Sequence, residues 1–100
     1  MISKHFVKRV RERIGPHVCP MTLGEGLLWA LRNERHDILE FIARVNRRGL
    51  RIFRFRVAED GRHFYVLIDT EATTLVTVMP PGFKTPREGG GLVKLREIEQ

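Results

Sequence analysis

The chain has 100 residues, and its 18 Lys and Arg against 12 Asp and Glu give a formal net charge of +6 at pH 7. This length accommodates one domain, and a content of 42% hydrophobic and 30% charged residues excludes a disordered chain. The charge favours an anionic partner, with nucleic acid first and an acidic protein second. No membrane partner is expected, because no segment pairs a Lys-rich face with a broad apolar one.

Cysteine content and the lack of a targeting segment indicate a cytoplasmic location. Cys19 is the single cysteine, so an internal disulfide is excluded. The sequence has neither an apolar run near the ~18 residues of a membrane span nor a secretory signal pattern.

The first predicted element is an amphipathic helix over residues 3–14, with Ser3 as its N-cap and Gly15-Pro16 as its stop. Four apolar residues fall on one side of it: Phe6, Val7, Val10 and Ile14. A basic stripe follows at i, i+4 and i+8: His5, Arg9 and Arg13. Such a stripe is either an ordinary solvated face or a phosphate-binding surface with a titratable imidazole.

The stretch from Gly15 to Met21 is expected to be a loop, and it carries His17 and Cys19. A zinc site needs three or four ligands, so this pair alone predicts no metal. No cofactor is expected either, because the chain contains no phosphate-binding Gly-rich loop and no dinucleotide fingerprint.

Two capping patterns predict a helical middle that reaches residue 49. Thr22 with Glu25 opens the first helix, and Asp37 with Glu40 opens a second one that ends at Arg47-Arg48-Gly49. A break or kink between Asn33 and His36 is favoured.

Leu50 to Pro80 contains three strand-like runs and predicts an antiparallel meander. Asp60-Gly61 indicates a two-residue hairpin turn. That turn would place three pairs opposite each other on an apolar face: Val57 with Phe64, Phe55 with Val66, and Phe53 with Ile68.

The opposite face of the meander is expected to be cationic. It would carry Arg54, Arg56, Tyr65 and Leu67. A turn through residues 71–73 would then add Val76 and Val78 to the apolar face and Thr77 to the polar one.

Pro80 to Gly91 is predicted to be a connector, and Leu92 to Ile98 a short strand or helical turn. The expected fold is a single α+β domain over 1–100, in which N-terminal helices (1–49) pack on one face of an antiparallel β-meander of three to four strands (50–80). Residues 81–100 form its Gly/Pro-rich connector and C-terminal segment.

The polar residues suggest chemistry on RNA. Cleaving RNA without a metal requires a group that takes the 2′-hydroxyl proton, a group that protonates the leaving oxygen, and fixed positive charge at the phosphate. His5 or His63 is suited to the proton transfers. The guanidinium groups suited to the phosphate are those of Arg9, Arg13, Arg54 and Arg56. Tyr65 would orient a base or a phosphate.

Two groups of residues carry a resemblance to a known family: Lys4-His5 with Arg9, Glu12 and Arg13, and Leu75-Val76-Thr77-Val78. Over residues 3–83 the chain resembles the barnase, EndoU, colicin and RelE-like ribonucleases, especially BrnT-like toxins and phage-associated proteins. The resemblance implies metal-independent RNA cleavage. It also implies that His5 is the acid-base group, that Arg9 or Arg13 contacts phosphate, and that Thr77 is a polar group in the site.

Three functions therefore remain open. The first is a ribonuclease of toxin or phage type, for which an acidic antitoxin is a possible partner. The second is a phage or prophage regulator that binds nucleic acid without cleaving it. The third is a basic adaptor or inhibitor that docks on an acidic protein. The RNA substrate and the oligomeric state are not fixed by the sequence.

Overall fold

A computed structural model describes residues 1–57, 61–84 and 90–92. The elements are α1 (Lys4–Arg9), which continues as a π-helical segment (Val10–Ile14), α2 (Pro20–Arg32), β1 (Glu40–Arg44), β2 (Leu50–Arg56), β3 (His63–Asp69), β4 (Thr74–Met79) and β5 (Gly90–Leu92). The sheet order is β4-β3-β2-β1-β5, in which β1 to β4 form an antiparallel meander and β5 runs parallel to β1. The predicted α+β fold is confirmed.

The first helix begins and ends as predicted. The Phe6 N–H donates to the Ser3 hydroxyl oxygen at 3.0 Å, and Gly15 ends the helical run with a φ of 134°. Phe6, Val10 and Ile14 are buried against the sheet. The N-cap and the apolar spacing are therefore sufficient to specify this element.

The second helix begins three residues earlier than predicted, at Pro20 with Cys19 as its N-cap, so the assignment of Thr22 as its N-cap is wrong. Proline is favoured at the first helical position because the N–H that it lacks would have no partner there. The helix ends at Arg32, which confirms the break favoured between Asn33 and His36.

The prediction of a helix from Asp37 to Gly49 is wrong, because Glu40–Arg44 is strand β1. The Asp37 carboxylate accepts two hydrogen bonds from Arg35, at 2.7 and 3.0 Å, instead of capping a helix. Pairing with β2 then determines the conformation, with a bulge between Phe41 and Ala43. The helical part of the chain therefore ends with α2 at Arg32, and not at residue 49 as predicted.

The β2–β3 hairpin has a register two residues away from the prediction. Phe55 lies opposite Phe64, and Phe53 lies opposite Val66. The Val57 N–H donates to the Arg62 carbonyl at 3.0 Å, so the connection is longer than a two-residue turn; Asp60 of the predicted turn lies outside the described residues. A shift of two keeps every side chain on its predicted face.

Both faces of the sheet carry apolar clusters, so the second face, predicted to be cationic with Tyr65 and Leu67 beside its arginines, is more apolar than expected. One cluster joins the helices to Phe53, Phe55, Val57, Phe64, Val66, Ile68, Leu75 and Val78. The second contains Ile42, Ala43, Val45, Ile52, Leu67 and Met79, against which Leu50, Tyr65, Val76 and Phe83 pack.

A bulge between Leu67 and Ile68 explains why Val76 packs on the second face rather than on the predicted one. Beyond the bulge, Val78 lies in the helix-side cluster, and Thr77 lies opposite Leu67 on the second face; both positions are as predicted.

Gly90–Leu92 forms β5, where a connector was predicted. The remainder of the predicted element at Leu92 to Ile98 lies outside the described residues. Within the described ranges, no helix has the length and apolarity needed to cross a bilayer.

Candidate active-site cleft

An open cleft of about 260 Å³ lies at the end of the sheet where β1 and β3 begin and β2 ends. Its lining residues are His36, Asp37, Ile38, Glu40, Arg54, Phe55, Arg56 and His63. Three of these were predicted from the sequence as site residues: Arg54, Arg56 and His63. The fold therefore brings two imidazoles, two guanidinium groups and two carboxylates into one concave site.

The strand register places the basic groups of β2 and β3 side by side. Arg56 lies opposite His63 in the ladder, and opposite residues have Cβ atoms about 5 Å apart. Arg54 lies two residues before Arg56 on the same face, a rise of about 7 Å. These spacings suit a phosphate group bound between the side chains.

The end of α2 brings His36 into the same cleft. The Arg35 N–H donates to the Ala30 carbonyl at 2.9 Å and the Glu34 N–H donates to the Leu31 carbonyl, which is a Schellman motif. Glu34 has a φ of 51°, a left-handed conformation that reverses the chain after the helix. The reversed segment then leads through His36 into β1.

Arg54 is fixed in place by the two residues that flank it in the sheet. It forms an ion pair with Glu40 on β1 and a hydrogen bond with Tyr65 on β3. Burial alone would lower the pKa of Arg54, but the charge of Glu40 and the hydrogen bonds to Glu40 and Tyr65 raise it overall. The guanidinium group is therefore a permanent positive charge at one wall of the cleft.

Both carboxylates of the cleft are already paired with arginine. The hydrogen bond from Arg35 lowers the pKa of Asp37, and the Arg35 guanidinium also lies 5.4 Å from the centre of the Trp29 ring. Arg56 forms no ion pair with another described residue. The cleft thus retains a cation that is not neutralised by the carboxylates around it.

The other predicted site residues do not line the cleft. Tyr65 lies on β3 beside Arg54, Thr77 lies on β4, and the remaining three lie on the first helical run. Arg13 donates to the Val78 carbonyl. The Arg9 guanidinium donates to Glu12 at 2.6 Å, and this hydrogen bond lowers the pKa of Glu12. His5 is exposed on α1, the helix that also carries Arg9.

Thr77 is 8% exposed, and its buried hydroxyl has no hydrogen-bond partner, so the imidazole of His5 makes no hydrogen bond with it. A buried polar group without a partner destabilises the fold. Thr77→Val should therefore raise the free energy of unfolding by about 1 kcal/mol, measured by urea denaturation at unchanged m-value. Lower stability in the variant would show that the hydroxyl has a partner. Lost RNA cleavage at raised stability would assign Thr77 to the site.

His36, Asp37 and Glu40 were not predicted as site residues. Their sequence was interpreted as a helix break followed by a capping pattern, and that pattern indicates local structure rather than chemistry. The sequence feature that could have indicated a site here is the polar Arg-His-Asp run between two apolar segments. Its position beside β2 depends on the pairing of β1, which no local pattern specifies.

No group of three or more His, Cys, Asp or Glu suited to a metal ion occurs among residues 1–57, 61–84 and 90–92. Comparisons with protein-family models, with curated proteins and with solved structures found no significant match to this chain.

Proposed function

We propose that this protein acts on RNA as a metal-independent endoribonuclease, with the cleft between His36 and His63 as its active site. The observation that carries the proposal is the presence of two imidazoles and two arginine side chains in one cleft. Imidazole both accepts and donates protons near neutral pH, and guanidinium binds phosphate oxygens in pairs. The sequence resemblance implies the same class of reaction, but it assigns the chemistry to His5, Arg9 or Arg13, and Thr77, which do not line this cleft.

In the proposed reaction one imidazole takes the proton of the ribose 2′-hydroxyl. The 2′-oxygen then forms a bond to phosphorus, and the bond from phosphorus to the 5′-oxygen breaks. The second imidazole, in its protonated form, donates a proton to that leaving oxygen. The products are a 2′,3′-cyclic phosphate and a 5′-hydroxyl, so protons and electron pairs balance.

The arginines would stabilise the negative charge that gathers on the phosphate oxygens in the transition state. Arg56 is suited to direct contact, because no described carboxylate pairs with it. Arg54 would act from a fixed position, because Glu40 and Tyr65 hold it. Preorganised positive charge of this kind is among the largest contributions to catalysis.

Replacement of Arg56 tests this role. Arg56→Ala should lower the cleavage rate of RNA in EDTA by about 100-fold, since one fixed transition-state contact is lost. Arg56→Lys should recover part of the rate, because it keeps the charge but not the paired geometry. Arg32→Ala removes an exposed arginine from α2 and is the matched control. Equal rates for Arg56→Ala and Arg32→Ala would contradict the proposal.

A non-catalytic nucleic-acid-binding function is the second candidate, and the ion pair between Arg54 and Glu40 favours it. A guanidinium group that is already paired has less capacity to stabilise a developing charge. Under this function, RNA would bind to wild-type protein with strong salt dependence and would stay intact.

A further inference from the structure

We infer that the β1–β2 hairpin end is a second binding surface for the phosphate backbone of RNA, separate from the cleft. Four arginines make up this surface, which we call the arginine hairpin: Arg44, Arg47, Arg48 and Arg51. The inference rests on the proposed function for the choice of RNA as partner. It adds that an RNA long enough to extend beyond the cleft also binds to the arginine hairpin.

The arginine hairpin places like charges close together. Arg44 and Arg51 lie directly opposite each other in the antiparallel ladder. Like charges in opposite positions destabilise a sheet. None of the four arginines forms an ion pair with an acidic side chain in the described part of the chain. An external polyanion would relieve this repulsion.

Neutral groups make several of the contacts that hold the loop of the arginine hairpin in shape. The Asn46 side-chain oxygen accepts hydrogen bonds from the backbone N–H groups of Arg48 and Leu50, at 2.9 and 3.3 Å. The Gly49 carbonyl accepts from the backbone N–H and the hydroxyl of Thr70, both at 2.7 Å. The backbone of the loop is therefore held by these neutral contacts, which do not involve the side chains of Arg47 and Arg48.

Close packing at Gly49 fixes the loop further. A Cβ atom at this position would lie 2.5 Å from the backbone nitrogen of Glu71, so only glycine fits. Arg51 donates from Nη1 to the Arg48 carbonyl at 2.7 Å, which holds its guanidinium at the hairpin end. A preorganised cationic loop loses less freedom when it binds an anion.

The chemistry of this surface fits nucleic acid better than an acidic protein. Arg47 and Arg48 are exposed, and the large exposed apolar residues of the described chain all lie outside the loop. Arginine at protein interfaces is accompanied by aromatic anchors such as Trp and Tyr, whereas nucleic-acid interfaces are polar and strongly positive. Guanidinium groups also match phosphate oxygens in pairs.

The arginine hairpin and the cleft lie at opposite ends of β2. Arg51 and Arg56 are five residues apart along the strand, a rise of about 17 Å. One phosphate cannot span this distance. We therefore expect the arginine hairpin to contribute to the binding of long RNA and to make no difference to a dinucleotide that occupies the cleft alone.

The test combines Arg47→Ala with Arg48→Ala and compares this pair with a charge-matched control, Arg11→Ala with Arg32→Ala, whose side chains are also exposed. Fluorescence anisotropy with a long labelled RNA at several salt concentrations measures binding. Two lost phosphate contacts should lower the slope of log affinity against log salt by about 1.4. Cleavage of a dinucleotide by the hairpin variant should equal that of wild type.

The outcomes separate this inference from the proposed function. If the hairpin variant and the control variant have equal slopes of log affinity against log salt, the arginine hairpin is not an RNA-binding surface. The proposal for the cleft is unaffected by that result. A reduced slope with no dinucleotide cleavage by wild type supports the hairpin and rejects the catalytic proposal. Loss of binding to poly-glutamate with unchanged binding to RNA would assign the surface to an acidic protein and overturn the inference.

Discussion

His63→Ala should lower the rate of RNA cleavage by about 100- to 10,000-fold, the usual contribution of a positioned acid-base group. His63 lines the cleft and lies opposite Arg56, so its imidazole is close to the site where a phosphate would bind. The rate should be measured with a labelled RNA substrate in EDTA. Melting temperatures within a degree or two of wild type would show that the variant is folded.

His5→Ala is the discriminating control for that result. The resemblance of the sequence to small ribonucleases implies His5 as the acid-base group, whereas the structure places it on α1, exposed and away from the cleft lining. Under the cleft proposal, His5→Ala keeps nearly the wild-type rate. If activity is lost in His5→Ala and retained in His63→Ala, the acid-base group belongs to α1 and the cleft is not the active site.

Phe64→Ala should lower the free energy of unfolding by about 3–5 kcal/mol. Phe64 has no exposed surface, it stacks on Phe55 with ring centres 6.2 Å apart, and the Arg62 guanidinium lies 4.9 Å from its ring centre. Removing the ring leaves a cavity between the helices and the sheet. For a domain of this size, the melting temperature should fall by about 12 °C or more.

Phe41→Ala is the matched control for the effect of burial. Phe41 is 38% exposed and contacts Phe53 edge-on, with ring centres 5.9 Å apart. Its loss should lower the free energy of unfolding by about 1 kcal/mol, the value of one aromatic pair. Equal losses of stability for the two variants would contradict the assignment of Phe64 to the centre of the core.

The elements that were predicted correctly are those with local signals. Ser3 caps α1 through its own side chain, and the apolar alternation in β2 and β3 identifies both strands without knowledge of their partners. The side chains of β2 and β3 were assigned to the correct faces of the sheet despite the incorrect turn length, because the register error was an even number of residues. Arg54, Arg56 and His63 could therefore be predicted as neighbours.

The elements that were missed depend on contacts between distant parts of the chain. Glu40–Arg44 resembles a helix start, and only its pairing with β2 makes it a strand. The bulge beside Ile68 reorients Val76, and no residue type signals it. The contribution of His36 to the cleft follows from both the reversal at Glu34 and the position of β1, so local reasoning could not find it.

The most direct test of the catalytic cleft is to incubate purified wild-type protein with RNA in EDTA and to analyse the ends of the fragments. We expect 5′-hydroxyl ends with 2′,3′-cyclic or 3′-phosphates, and no fragments from a variant that combines His36→Ala with His63→Ala at equal melting temperature. Intact RNA, fragments with 5′-phosphate ends, or unchanged cleavage by the double variant would contradict this expectation.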